Sequence, residues 1–217
     1  MQQDSKTRYS RNMTHADWFY HVARRLSGSA DRACPPDDRK PAAVALLLRY
    51  RVGGPELFFI ERAHHPDDPW SGNIGFPGGR RDPVDLSLRH TAERETLEEV
   101  GVDLRPAAYL GRLSDIVGAN LPVRVSCFVY GMADPIYPTL SDEVHDAFWY
   151  SLETLQAPQR QIIATVRFGE RELQVPAVDL GLPGKAVLWG ITYRLVGQFR
   201  ALIESWEERQ IPYELPL

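Results

Sequence analysis

The sequence has little cysteine, no long apolar run and no block of like charge. Only Cys34 and Cys127 occur in 217 residues, far apart, which excludes a disulfide framework and paired metal–thiolate spacing. No apolar stretch approaches the roughly 18 residues that a membrane-crossing helix needs. The opening MQQDSKTRYS carries no apolar core of a signal peptide. Formal net charge is -4, with acids and bases interspersed, whereas a nucleic-acid partner calls for a basic stripe. The expectation is a cytoplasmic protein without nucleic-acid or membrane partners.

What is present is enough apolar residue, 43%, to bury one substantial core. Residues 1–40 read as an N-terminal extension: a polar, poorly ordered start, one helix from Thr14 to about Gly28 with Trp18, Phe19, Val22 and Leu26 on one side, then a linker. Residues 41–217 read as the main domain. Within it, strands are predicted at Ala42–Val52 and Glu56–Arg62 around a Gly53-Gly54-Pro55 turn. A long loop rich in glycine and proline follows, up to Pro83.

A helix is expected from about Asp85 to Val100, stopped by Gly101, with Leu88, Ala92, Thr96, Leu97 and Val100 as its buried side. Further strands are expected at Tyr109–Ile116, Val123–Tyr130 and Ala147–Tyr150, with a hairpin over Ile162–Phe168 and Glu172–Val178. The last helix should run from Leu188 to Glu208 and bury Leu195, Phe199, Leu202 and Trp206. This order suggests an α/β fold, a sheet with helices on both faces.

The helix raises a question of charge. Glu95, Glu98 and Glu99 are three and four residues apart, and each like-charged neighbour pair costs about 0.2–0.5 kcal/mol. A solvated face would explain them. The preceding Phe76-Pro77-Gly78-Gly79 points elsewhere, because its backbone can approach a ligand closely. Carboxylates with a nearby carbonyl are hard oxygen ligands for Mg²⁺ or Mn²⁺, and magnesium is commonly completed by substrate phosphate.

The stretch GGRRDPVDLSLRHTAERETLEEVGV, Gly78 to Val102, resembles the Nudix box. That signature is Gly, five residues, Glu, seven residues, then Arg-Glu-hydrophobic-any-Glu-Glu-any-Gly-hydrophobic. Gly79, Arg94, Glu95, Glu98, Glu99, Gly101 and Val102 match it. The first acid is Asp85 instead of Glu, eight residues precede Arg94 instead of seven, and Thr96 replaces an apolar residue.

The resemblance implies a Nudix-like α/β/α sandwich with a mixed sheet, and a diphosphatase dependent on Mg²⁺ or Mn²⁺. It makes Glu95, Glu98 and Glu99 metal ligands, helped by the Gly79 carbonyl and by a downstream acid, Glu143. Glu95 or Glu98 is the general base, and Arg94 supports catalysis by orienting an acid. Asp85 braces the loop or caps the helix.

Residues before the box are similar to the coenzyme A diphosphatase branch of that family. Arg62-Ala63, Gly72, Phe76, Pro77, Gly78, Gly79 and Asp82 fit its pattern, but Asp67 or Asp68 stands where a second Arg is usual. The segment LWGITYR, Leu188 to Arg194, also resembles that branch. Arg62, Phe76, Gly78, Arg80 and Trp189 are therefore expected to bind substrate, with Tyr193 as a further candidate and His64 or His65 near phosphate. Trp149 reads as core. The implied substrate is a small nucleoside diphosphate linked to another moiety, first coenzyme A or its acyl derivatives. A nucleotide sugar, dinucleotide or oxidised nucleotide is the alternative, and a non-catalytic nucleotide-binding regulator a third. The N-terminal helix has two readings, a homodimer contact or a cover for the pocket.

Overall fold

A computed structural model describes residues 14–27, 37–65, 70–118, 122–169 and 171–207, the side chains of 204–207 excepted. The polar start, most of the linker with Cys34, Asp67, Asp68 and the Trp206 side chain lie outside the described residues. Helix α1 spans His15–Ser27 and opens with a reciprocal cap. Asp17 N–H donates to Thr14 Oγ1 at 3.2 Å, and Thr14 N–H donates to Asp17 Oδ2 at 3.1 Å, which satisfies donors that the first turn leaves free.

Strand β1, Lys40–Arg51, runs into β2, Gly54–Arg62, as an antiparallel hairpin. The pairing covers only Leu48–Arg51 against Gly54–Leu57, after which the two strands part. Two short strands fill the opening: β3, Ile74–Gly75, pairs with β2, and β4, Gly78–Arg80, pairs with β1. The glycine loop is therefore part of the sheet. Helix α2 follows at Leu88–Val100.

The region expected as one strand at Tyr109–Ile116 is two, β5 (Ala108–Arg112) and β6 (Ile116–Val117). Both pair with β7, Val123–Gly131. Strand β7 lies parallel to β1, which makes the sheet mixed, and β8, Val144–Ser151, pairs with β2 on its outer side. A short helix α3, Leu152–Gln156, follows. Strands β9 (Gln161–Phe168), β10 (Arg171–Val178) and β11 (Leu188–Trp189) form a separate antiparallel sheet. Helix α4, Gly190–Glu207, closes the described chain. Leu188 and Trp189 were expected to begin that helix, but they pair with Val178 and Ala177, and Gly190 with φ +67° makes the turn between strand and helix.

Alternation along the strands sorts the core into two faces. Leu46, Leu48, Phe59, Cys127 and Val129 face α1 and α4, packing with Trp18, Leu26, Leu195 and Phe199. Ala43, Ala45, Leu47, Phe58 and Tyr130 face α2, packing with Ala92 and Val100. The layers are thus helix, sheet, helix. Among the described residues, no helix is long and apolar enough to cross a membrane.

Candidate active site

The opening between β1 and β2 determines where the glycine loop sits. Pro77 carbonyl accepts the Ala45 N–H at 2.9 Å, and Gly78 and Gly79 lie opposite Val44 and Ala43. Gly78 has φ +149°, and a Cβ there would come within 2.2 Å of the Ala43 carbonyl oxygen. Only glycine allows this backbone so close to β1. At Gly79 the crowding comes from the other side: a Cβ would lie 2.5 Å from the Glu95 carboxyl carbon. The loop backbone and the acidic helix are in direct apposition.

Helix α2 begins three residues later than its sequence pattern suggests. Its cap is Ser87, whose side chain accepts the His90 N–H at 3.1 Å, and Asp85 stays in the loop. Asp85 is buried and accepts from Arg94 Nε at 2.9 Å, Arg94 Nη2 at 3.0 Å, Asp82 N–H at 2.9 Å and Thr91 Oγ1 at 2.9 Å. The Arg94 guanidinium, first, and the loop donors hold the Asp85 carboxyl well below the usual carboxylate range, outweighing its burial. The extra residue of the box is absorbed in this loop.

Arg94 also donates to Glu95 Oε1 at 2.9 Å and Glu98 Oε2 at 2.7 Å. It is not among the cavity-lining residues, so it holds the acids from behind. Glu99 departs furthest from a solvated face. It is 3% exposed, accepts the Gly78 N–H at 2.8 Å, and lies 3.3 Å from Arg62 Nη1. Leu97, expected in the core, is exposed instead. The helix is turned so that Glu99 lies beneath the glycine loop and Leu97 faces water. Burial pushes the Glu99 carboxyl up to about 8 against the pull of Gly78 and Arg62, and neighbouring Glu95 and Glu143 add to the rise. Glu95 is raised too, chiefly by burial, with Arg94 opposing and Glu98 and Glu143 reinforcing. Thr96, polar where an apolar residue was expected, is buried and donates to the Ala92 carbonyl at 2.7 Å.

These acids line one end of a cavity of about 740 Å³. Glu143 joins Glu95, Glu98 and Glu99 there, and its carbonyl accepts the Ala63 N–H at 2.8 Å, tying it to the end of β2. Arg62, Phe76, Gly78, Gly79, Arg80 and Trp189 line the same cavity. Trp189 Nε1 donates to Asn73 Oδ1 at 3.0 Å, and Phe76 stacks on Phe59 at 5.0 Å. His65 lines the cavity; His64 packs over Gly72. Tyr193 packs against the core, as does Trp149, whose ring contacts Phe58.

Sequence reasoning passed over Trp70, Asn73, Phe168 and Arg194, which also line the cavity, and its floor of Ala42, Val44, Val123 and Val125. Asn73 carried a signal, since it sits inside the glycine-rich motif. Trp70 lies in the same loop and Arg194 ends the LWGITYR segment, whereas Phe168 and the floor reach the cavity only through long-range packing.

Among the described residues, no three acidic, histidine or cysteine side chains converge closely enough to hold an ion alone. The donor set nonetheless fits a hard divalent cation. Four carboxylates line the same cavity, and the charge of neighbouring acids helps to raise two of them, Glu95 and Glu99. An oxygen-seeking cation that keeps waters and takes ligand phosphate needs no complete protein cage.

The model of the NUDIX domain matches residues 38–167. The Schizosaccharomyces pombe protein C14C4.10c is 39% identical over 63% of this chain and 49% of its own. The mitochondrial coenzyme A diphosphatase NUDT8 is 30% identical in Homo sapiens, over 70% of this chain and 66% of its own. In Mus musculus the figures are 32%, 70% and 74%. The chain thus spans about half the length of the yeast relative and about two thirds of the human one. Among solved structures, the NUDIX domain of Shewanella oneidensis NrtR, complexed with ADP ribose, superimposes with a TM-score of 0.52 at 19% identity, over 88% of this chain and 99% of that one. Because the family model matches more than half of the chain, and a relative 32% identical covers 70% of it, the chain belongs to the Nudix family.

Proposed function

We propose that the protein hydrolyses the diphosphate bond of a nucleoside diphosphate linked to another moiety, using Mg²⁺ or Mn²⁺. Coenzyme A or an acyl-coenzyme A is the first candidate substrate, cleaved to 3′,5′-ADP and 4′-phosphopantetheine or its acyl form. The observation that carries this reading is the meeting of Glu95, Glu98, Glu99 and Glu143 with Gly79 at one end of a large cavity. The names of the NUDT8 relatives support the choice of coenzyme A.

In this reading the ligands of the cation are Glu95, Glu98, Glu99, Glu143 and the Gly79 carbonyl. Bound there, a divalent cation would neutralise diphosphate oxygens and acidify a nearby water. Glu95 or Glu98 takes the proton of the attacking water. Glu98 is the freer of the two, its side chain being 57% exposed against 17% for Glu95. Arg94, fixed by Asp85, keeps both carboxylates oriented, and Gly78 N–H does the same for Glu99. Positioning of this kind is most of what phosphoryl transfer asks of a protein.

Arg62, Phe76, Gly78, Arg80 and Trp189 contact the substrate along the cavity. The test is a product-resolved assay with Mg²⁺ or Mn²⁺ against coenzyme A, NADH, ADP-ribose, a dinucleoside polyphosphate and 8-oxo-dGTP. Release of 3′,5′-ADP from coenzyme A is the expected result. Silence on coenzyme A with turnover of another compound would move the assignment to that compound, and binding without turnover of any would favour a nucleotide-binding regulator.

A further inference from the structure

The cavity has a second charged end. Its first end is the acidic one at Gly79 and Arg80. From there the sheet runs sideways through Ala42 of β1, Val125 of β7 and Ile116 of β6, which lie opposite one another in register. Three strand spacings separate Arg80 from Ile116, about 14 Å. The next residue of β6, Val117, offers its carbonyl to Arg194 Nη1 at 2.8 Å. That bond fixes a guanidinium from α4 at the far side of the cavity, which Arg194 lines.

Between the two ends the floor is apolar. Ala42, Val123 and Val125 form a small buried cluster, with Trp70 and Ile191 packed against it. A charged head at the acids, an uncharged body over the valines and a cationic stop beyond them describe a ligand that is anionic at two separated places. Arg62 is not that stop, because it lies against Glu99. Arg80 is not either, since it adjoins Gly79 at the acidic end.

We infer that Arg194 binds a phosphate monoester carried by the substrate in addition to its diphosphate, and so selects substrates that have one. The guanidinium uses one N–H on Val117 and keeps donors in a fork suited to phosphate. Arg194 is solvent-exposed, so water and salt screen the contact. This inference rests on the diphosphatase reading above for its catalytic arm, and on binding alone for its other arm.

The catalytic arm compares coenzyme A with dephospho-coenzyme A, which differ by one phosphate monoester. Wild type should favour coenzyme A in kcat/KM by about tenfold, the weight of one charge-assisted contact. Arg194→Gln should bring the ratio towards one through a loss borne mostly by coenzyme A. Arg80→Gln should leave the ratio near its wild-type value. The binding arm measures adenosine 3′,5′-bisphosphate against 5′-AMP by calorimetry without metal. Tighter binding of the bisphosphate by wild type, lost in Arg194→Gln, is expected.

Equal affinity of wild type for the two nucleotides would overturn the inference, and so would an equal weakening of both in Arg194→Gln. Absence of turnover with both coenzyme A compounds, together with the expected binding difference, would overturn coenzyme A as the substrate and leave Arg194 in its role.

Discussion

Replacing Asp85 by Asn tests how the loop is locked to the acidic helix. Asp85 is 2% exposed and takes two bonds from Arg94, one from Asp82 N–H and one from Thr91 Oγ1. Asparagine has nearly the same shape, but it turns one acceptor into a donor that faces donors, and it removes the charge that pairs with Arg94. Breaking a buried pair from one side costs about 3–5 kcal/mol, and one remaining acceptor lowers that to roughly 2–4. For a chain of this size each kcal/mol is worth about 2–4 °C, so a 3 kcal/mol loss lowers Tm by about 6–12 °C.

Urea denaturation at pH 7 gives the number, and its pH dependence gives the cause. The folded Asp85 pKa lies below its ordinary value of 3.8. Its contribution is therefore complete above that value and is lost as pH falls towards the folded pKa. The gap between wild type and Asp85→Asn should hold steady above about pH 5 and narrow below pH 4. A gap under about 0.5 kcal/mol at pH 7, typical of an ordinary surface site, would refute the brace. A gap that ignores pH would show that shape, not charge, is what Asp85 supplies.

Two glycines one residue apart should behave differently. Gly78→Ala drives a Cβ into the Ala43 carbonyl at 2.2 Å and strains a positive φ, so a loss of about 2 kcal/mol or more is expected by denaturation. Gly79→Ala meets only the end of the Glu95 side chain. It should melt near wild type yet lose most metal-dependent turnover, and retained turnover would place Glu95 outside the reaction. Glu98→Gln, at an exposed side chain, should change stability by less than about 0.5 kcal/mol. Its turnover should fall by about 10²-fold or more; activity near wild type would remove Glu98 from the reaction.

Periodicity made much of this architecture legible. The apolar runs of β1 and β2, the alternation in β7 and the Gly101 stop after α2 are local signals, and they placed the central sheet and the acidic helix. Strands β3 and β4 had no such signal. Two or three residues rich in glycine cannot alternate, and they are strands only because β1 and β2 part and leave unpaired edges to fill. Leu97 was misplaced, and the burial of Glu99 was unforeseen, for a related reason. Hydrophobic patterning assigns charge to water, whereas the Gly78 N–H and Arg62 make a protein environment for one carboxylate. Arg194 ends the LWGITYR segment, but its place in the cavity was not legible because Val117, its partner, comes from a distant strand.

The buried Glu99 gives the clearest conflict between folding and chemistry. Three elements converge on it: Gly78 from the loop, Arg62 from β2 and the helix itself. Stability alone would not select a carboxylate here, because burial raises its pKa to about 8, and replacing buried ionic groups by neutral ones of like shape is often neutral or stabilising. Glu99→Gln retains an acceptor for the Gly78 N–H and leaves Arg62, which is 27% exposed, in reach of water. The metal-free variant should therefore be as stable as wild type or gain up to about 2 kcal/mol, while metal-dependent turnover falls sharply. Mg²⁺ should raise the melting temperature of wild type and raise that of the variant less, since ligand binding to the folded state stabilises it by mass action. A variant that loses 2 kcal/mol or more would mean that the carboxylate helps hold the loop on the helix. A variant that is stable, unresponsive to Mg²⁺ and inactive would mean that the fold keeps this charge buried for the cation.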